Sequence, residues 1–188
     1  MGRLAFFSRT KYTNIDISHR CPLECTACQR QQHWKNKGLS VPGYDMTIYD
    51  FIKISKWFDR IHFCGQLSDP IHHPRFKEFL KIVKYHKVMV SCASSYKPKS
   101  FYFDAFKVNP AAEWIFGIDG LPEESNTYRI NQDGEKLYSI MSNWQYFLNE
   151  RPTWQYIIFD YNKEHIEEAK RMAAKIDVNF SLLKSGRI

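Results

Sequence analysis

At 188 residues the chain has the length of one domain with its own core, and 44% hydrophobic with 25% charged residues is the mix of an ordinary globular protein. That excludes disorder, collagen and coiled coil as descriptions of the whole. Lys+Arg outnumber Asp+Glu by 27 to 20, a formal charge of +7 that suits plain solubility and equally an anionic partner such as a nucleotide, nucleic acid or acidic redox protein. No apolar run approaches the ~18–20 residues that span a bilayer, and the patch Leu4-Ala5-Phe6-Phe7 is too short for a signal-peptide core. The expectation is a cytoplasmic chain without membrane contact.

In chain order, residues 12–18 alternate polar and apolar side chains, the period of a strand. A loop rich in Cys, Gln, Lys and Gly spans 19–45. Thr47, with Asp50 three residues on, caps a helix whose buried face is assigned to Ile48, Phe51, Ile52 and Phe58. Residues 60–64 read as a short strand. Pro74 suits a first helical position, followed by Phe76, Phe79, Leu80 and Val83 at i, i+3, i+4 and i+7. Strands are expected at 88–91, 113–118, 154–159 and 178–183, with helices near 101–107, 135–148 and after Asn162, which is positioned to cap the last of them. Six strands alternating with helices imply a parallel sheet in one domain over 1–188, either an open doubly wound sheet or a partial barrel. No Gly-x-Gly-x-x-Gly follows the first strand, so a Rossmann-type dinucleotide site has no support.

Five cysteines, an odd number with three inside eight residues, do not resemble a secreted disulfide framework. Cys21-Pro-Leu-Glu-Cys25-Thr-Ala-Cys28 stands on the loop directly after the first strand, where side chains need not alternate and three thiolates can converge. A tetrahedral zinc site would need His19, His33 or a distant residue as fourth ligand. A 4Fe-4S cluster held by three cysteines leaves one iron open for an exogenous ligand, as a reactive site requires. The cluster is the favoured reading.

The triad in this position resembles the radical S-adenosylmethionine (radical SAM) superfamily. The resemblance covers nearly the whole chain, from Tyr12 to about Leu183. Residues 63–74, containing Gly65-Gln66-Leu67-Ser68-Asp69-Pro70, are similar to that family's Gly-Gly-Glu-Pro region. Val90-Ser91-Cys92-Ala93 is similar to its Thr-Asn-Gly turn, and Gly117-Ile118-Asp119-Gly120-Leu121 with Tyr128-Arg129 resembles its fourth-strand segment in members that modify peptides or build molybdopterin. The resemblance implies an α/β fold, a partial (β/α)6 TIM-like barrel with parallel strands. It further implies a [4Fe-4S] cluster on Cys21, Cys25 and Cys28, with S-adenosylmethionine (SAM) bound to the open iron. Reductive cleavage would yield a 5′-deoxyadenosyl radical that abstracts hydrogen from an unidentified peptide, small molecule or nucleotide. By position, Gly65, Gln66, Ser68 and Asp69 would meet the SAM amino group, and Ser91 and Asp119 its ribose or methionine portion. Arg129 would meet its carboxylate and Leu183 its adenine. Ala27 stands where the family usually has an aromatic residue, leaving a backbone contact to adenine, and Ser68-Asp69 replaces Gly-Glu. The chemistry implies a flavodoxin- or ferredoxin-type one-electron reductant, and a second copy or a partner protein to cover the open barrel. The cysteines outside the triad, Cys64 and Cys92, are too few for an auxiliary cluster, so a minimal member is expected.

Other residues carry blander readings. His62 is assigned to a strand, His72 and His73 to a turn, and Cys64 and Cys92 to buried strand ends. Trp57, Trp114, Trp144 and Trp154 are assigned to the core, and Trp34 to the rim loop. Asn14 and Asp16 mark either a polar cavity or a solvated edge, because a fully buried parallel strand would be apolar throughout. Tyr156 and Tyr161 are candidate hydrogen-atom donors. Two further functions compete: a zinc-stabilised nucleic-acid-binding module, and a relative that binds cluster and SAM without turnover.

Overall fold

The structure is a computed structural model that describes residues 11–184, so the Leu4–Phe7 patch lies outside it. Six strands form one sheet: β1 (Tyr12–Ile15), β2 (Arg60–Phe63), β3 (Lys87–Cys92), β4 (Glu113–Gly117), β5 (Thr153–Ile158) and β6 (Asn179–Lys184). Five α-helices alternate with them: α1 (Ile48–Ser55), α2 (Phe76–Ile82), α3 (Lys99–Val108), α4 (Gly134–Met141) and α5 (Ile166–Lys175).

Every pairing is parallel and the strands lie in the order β1-β2-β3-β4-β5-β6. This order decides between the two architectures. A doubly wound sheet reverses its strand order at a switch point and so carries helices on both faces. A strictly sequential order with right-handed crossovers puts every helix on the same face. The result is a partial (β/α)6 barrel, open because β1 and β6 each pair on one side only.

The period-2 alternation of the strands then separates two surfaces. Ile61 and Phe63, Val88 and Val90, Trp114 and Phe116, and Trp154 and Tyr156 point outward and are buried beneath the helices. Phe51 of α1 and Phe79 of α2 pack tilted at 4.6 Å between ring centroids, and Phe106 of α3 meets Trp114 edge-on at 4.8 Å. The predicted stripe Phe76, Phe79, Leu80 and Val83 is wholly buried. The inner face, with Asn14, His62, Ser91 and Gln155, has no helix over it.

Several local expectations are corrected. Pro74 sits in a turn and α2 begins at Phe76. The helix expected over 135–148 ends at Met141, where Ser142 Oγ and Asn143 Nδ2 donate to the Ser139 carbonyl at 2.9 and 2.8 Å and draw it off the helical ladder. A 3₁₀ turn, Trp144–Tyr146, follows. Asn162 is buried but does not cap α5. Its Nδ2 donates back to the Ile157 carbonyl at 3.0 Å and its Oδ1 accepts from the Phe159 amide at 2.8 Å, closing the turn after β5. Ile52 lies beside, not on, the stripe led by Phe51 and is exposed. Trp57, beyond the end of α1, is 67% exposed with the Lys11 ammonium 5.7 Å from its ring. Trp114 and Trp154 are core, and Trp144 packs on the core's edge.

Candidate active site

The triad loop leaves β1 and is pinned across the mouth of the barrel. Glu24 and Thr26 amides donate to the Ile130 and Tyr128 carbonyls at 3.1 and 3.3 Å, and Arg20 accepts from the Asp69 amide at 2.9 Å. After Cys28 the chain winds through a π-helical turn (Arg30–Trp34) and a 3₁₀ turn (Lys35–Lys37) that ends on Gly38 at φ 69°, so the 19–45 segment carries structure of its own. Cys21, Cys25 and Cys28 are half-buried free thiols, and all three line one cavity of about 380 Å³. Burial pushes the Cys21 thiol up to about 12, with the Asp69 carboxylate adding to it; burial also raises Cys25, opposed by the Arg129 guanidinium. Such thiols keep their protons until a metal displaces them.

The second wall is the segment 65–69 after β2. A side chain at Gly65 would put its Cβ 2.3 Å from the Ser68 carbonyl oxygen, so the turn admits only glycine. Asp16, next in line after β1, accepts from the Gln66 amide at 3.1 Å and from Ser68 Oγ at 2.8 Å. Buried Asp69 accepts from the Ala93 and Ser94 amides at 2.8 and 2.7 Å and from Ile71 at 3.3 Å, which ties the end of β2 to the end of β3. Arg30 spans the two loops, donating to the His19 and Leu67 carbonyls.

Arg129 forms the third wall. Its Nε lies 2.7 Å from Asp119 Oδ2, and Gly117 leaves room for the guanidinium: a Cβ there would approach Arg129 Nη2 to 2.7 Å. Burial works against the charge, but Asp119 and the neighbouring Cys25 outweigh it and hold the arginine pKa above its usual range. Asp119 itself is fully buried and does not line the cavity; its Oδ1 accepts from the Ile157 amide at 2.8 Å. Ala27 does not line it either. Gly65, Gln66, Ser68, Asp69, Ser91, Arg129 and Leu183 do.

Sequence reasoning placed Ser91 at this site but left His62 as a strand residue. His62 Nε2 is 2.7 Å from Ser91 Oγ and its Nδ1 is 2.9 Å from Asn14 Oδ1, which also accepts from the Tyr12 hydroxyl. Desolvation lowers the His62 pKa. Ile115, Gln155 and Ile157 complete the inner face at this level. The available signal was parity: polar residues at alternate positions of β1, β2, β3 and β5 face one side of the sheet. Asn14 is exposed on the edge strand and bonds His62, and Asp16 holds the 65–69 turn; neither lines the triad cavity. His72 and His73 bond Ser94 Oγ (2.8 Å) and the Met46 carbonyl (3.0 Å), while the Tyr156 and Tyr161 hydroxyls donate to the carbonyls of Asn162 (2.6 Å) and Asp119. All four act as braces. Among the described residues no three His, Cys, Asp or Glu side chains close on a point where a single metal ion would sit.

No protein-family model and no curated protein sequence matches the chain. Solved structures do. Coproporphyrinogen III oxidase (HemN) from Escherichia coli, described as a radical SAM enzyme, superposes with a TM-score of 0.56 at 10% identity, over 95% of this chain and 44% of that one. The fold is that of the radical SAM enzymes. SuiB from Streptococcus suis superposes on this radical SAM fold with a TM-score of 0.76 at 12% identity, over 96% of this chain and 41% of SuiB. SuiB bound to S-adenosylmethionine and SuiB bound to its precursor peptide SuiA both match with a TM-score of 0.75. The chain therefore spans less than half the length of these proteins. Among the described residues no helix is long and apolar enough to cross a membrane.

The residues present fit the cofactors that the fold implies. Three unbridged thiols from one short loop, all lining one cavity, suit an iron–sulfur cluster. A buried guanidinium and the backbone of 65–69 face the same space, as an amino-acid ligand with a carboxylate and an ammonium requires.

Proposed function

We propose that this chain is a radical SAM enzyme, in which Cys21, Cys25 and Cys28 hold a [4Fe-4S] cluster and SAM occupies the adjoining cavity. The observation that carries this reading is the shared cavity: three free thiols from an eight-residue span, the 65–69 turn and Arg129 all line it at the C-terminal ends of the strands. When bound, the cluster supplies the electron that cleaves the SAM sulfonium, so that a hydrogen is taken from a substrate.

The chain's own residues bind and orient. Arg129, held by Asp119 and seated against Gly117, is placed to fork onto the SAM carboxylate. The 65–69 backbone, fixed by Asp16 and Asp69, presents carbonyls to the ammonium, and Leu183 covers the adenine. Ser91, bonded to His62, faces the ribose or the substrate. Asp119 thus acts through Arg129 instead of touching the ligand, and a peptide is one substrate class in keeping with the SuiA-bound relative. The reductant is an external one-electron donor of flavodoxin or ferredoxin type.

The test is oxygen-free purification followed by an absorption spectrum and iron and zinc counts. A brown protein with about four irons per chain that loses them in Cys25→Ala, and that cleaves SAM under a strong reductant, supports the reading. A colourless protein with one zinc overturns it. Binding of SAM without cleavage restricts it to a cofactor-binding relative, and Arg129→Lys is expected to weaken SAM binding about tenfold or more by losing the fork.

A further inference from the structure

The molecule's charge is concentrated in one supersecondary unit. Residues 75–107, comprising α2, β3 and α3, carry eight Lys and Arg against two acids, a net +6, whereas the whole chain carries +7. Residues 108–184 carry eight basic and twelve acidic side chains, a net −4. The 75–107 unit is thus strongly basic and the segment after it acidic.

Both acids of the basic unit are already engaged. Glu78 takes the Arg75 guanidinium at 2.7 and 2.5 Å, and Asp104 takes Lys77 at 3.3 Å across the α2–α3 boundary. Lys81, Lys84, Lys87, Lys97, Lys99 and Lys107 are left without a carboxylate partner among the described residues. Lys77 and Lys81, four residues apart on α2, lie beside the buried Phe76, Phe79 and Leu80, and Lys84 follows in the turn after the helix ends at Ile82. Lys77 and Lys97 converge on the Phe101 ring at 5.6 and 5.2 Å, which carries the row from α2 onto α3. Two exposed aromatic rings bracket it: Tyr85, 89% exposed, beyond the end of α2, and Tyr96, 57% exposed, beyond the end of β3.

Two kinds of anionic partner fit such a charge, and position separates them. An electron-donating protein must approach the cavity that the thiols line. Lys77, Lys81 and Lys107 stand on helices of the outer layer, with the buried Phe76, Phe106 and Trp114 between them and the cavity, while Tyr96 and Lys97 follow Ala93 at the rim. A polyanion needs no electronic contact with the site. A row of lysines without carboxylate partners suits a phosphate backbone, and exposed tyrosines offer π-faces on which unpaired bases stack. We propose that the outer face of α2 and α3 binds single-stranded nucleic acid, with lysines on the phosphates and Tyr85 and Tyr96 stacking on bases.

This does not rest on the cluster or on SAM, and it is testable on the full chain with or without iron. A fluorescein-labelled 20-nucleotide oligo(dT) or oligo(U) is titrated by anisotropy across a salt series. Binding is expected to fall linearly on a log–log salt plot, with a slope of about −0.7 per phosphate neutralised. The exposed triple variant Lys81→Gln/Lys84→Gln/Lys97→Gln should make that slope shallower by about 2 and weaken binding at least tenfold. Tyr85→Ala and Tyr96→Ala should each weaken it about tenfold without changing the slope. Lys170→Gln/Lys175→Gln, on the acidic side, is expected to change neither. Absence of oligonucleotide binding overturns the proposal, as does binding that the triple variant leaves intact. Preference for duplex over single strand, or capture of an acidic flavodoxin by the same lysines in place of the oligonucleotide, also overturns it.

Discussion

The two faces of the sheet are built from the same strands, often from adjacent residues, and they do opposite work. Outward, Phe63, Val90, Trp114 and Trp154 interlock with Phe51, Phe76, Phe79 and Phe106 in a continuous apolar layer. Inward, His62, Ser91 and Gln155 face a cavity with no helix over it. Stability is concentrated on the first face and chemistry on the second. Because strand side chains alternate, the two roles are separable at single-residue resolution, and a substitution should move one without the other.

The strongest way to break that contrast is on the outer face. Phe79→Ala removes a fully buried ring that packs against Phe51, and is expected to cost about 3–5 kcal/mol, read as a lowered midpoint in urea denaturation with the slope unchanged. Asp69→Ala tests the seam between the faces. It leaves the Ala93 and Ser94 amides buried without an acceptor and should cost about 2–3 kcal/mol, while also loosening the cavity wall so that SAM binding and stability fall together.

A pH titration sharpens the comparison without mutation. His62, His72 and His73 all have pKa values lowered by burial, His72 to about 4 with Lys97 adding to the effect. With the folded value below the unfolded one, the unfolded chain takes up protons first. Stability is then full above about pH 6.5 and is lost as pH falls from there towards about 4. After discounting for solvent screening of a partly exposed ring, the His72 share is on the order of 1 kcal/mol. Asp16 and Asp69, whose pKa values burial raises, act in the opposite sense toward the acid end. The histidine slope is therefore best read between about pH 7 and 5. His72→Gln should flatten it; an unchanged slope would remove His72 from the account.

The smallest expected effect belongs to the inner face. Gln155 makes no side-chain hydrogen bond and lines the cavity, so Gln155→Ala should change stability by no more than about 0.5 kcal/mol. The reading that matters there is ligand affinity. A large stability loss in Gln155→Ala would show that the inner face is structural after all.

Much of this was legible in the chain itself. The spacing of Phe76, Phe79, Leu80 and Val83 was enough for α2, and Thr47 with Asp50 was enough for the start of α1. Local competition caused the local misses. Ser142 and Asn143 draw a carbonyl away from the α4 ladder, and Asn162 bonds backward to the turn instead of forward to the helix. Such bonds depend on which acceptor happens to be near, which composition does not reveal.

What the sequence determined by itself was the set of alternating elements and the clustering of thiols. Hydrophobic period is imposed residue by residue, and C-x3-C-x2-C on a loop constrains three side chains within one short reach. What only the tertiary structure decided was the order of the strands, and with it which side of each strand is interior. Asp119 is buried beside Arg129, and His62, a residue of β2, lines the cavity next to Ser91. Contacts such as Asp69 with Ala93, and Arg129 with Asp119, join segments far apart along the chain. No local pattern specifies them; they exist because parallel strands in sequential order bring their C-terminal ends to one rim.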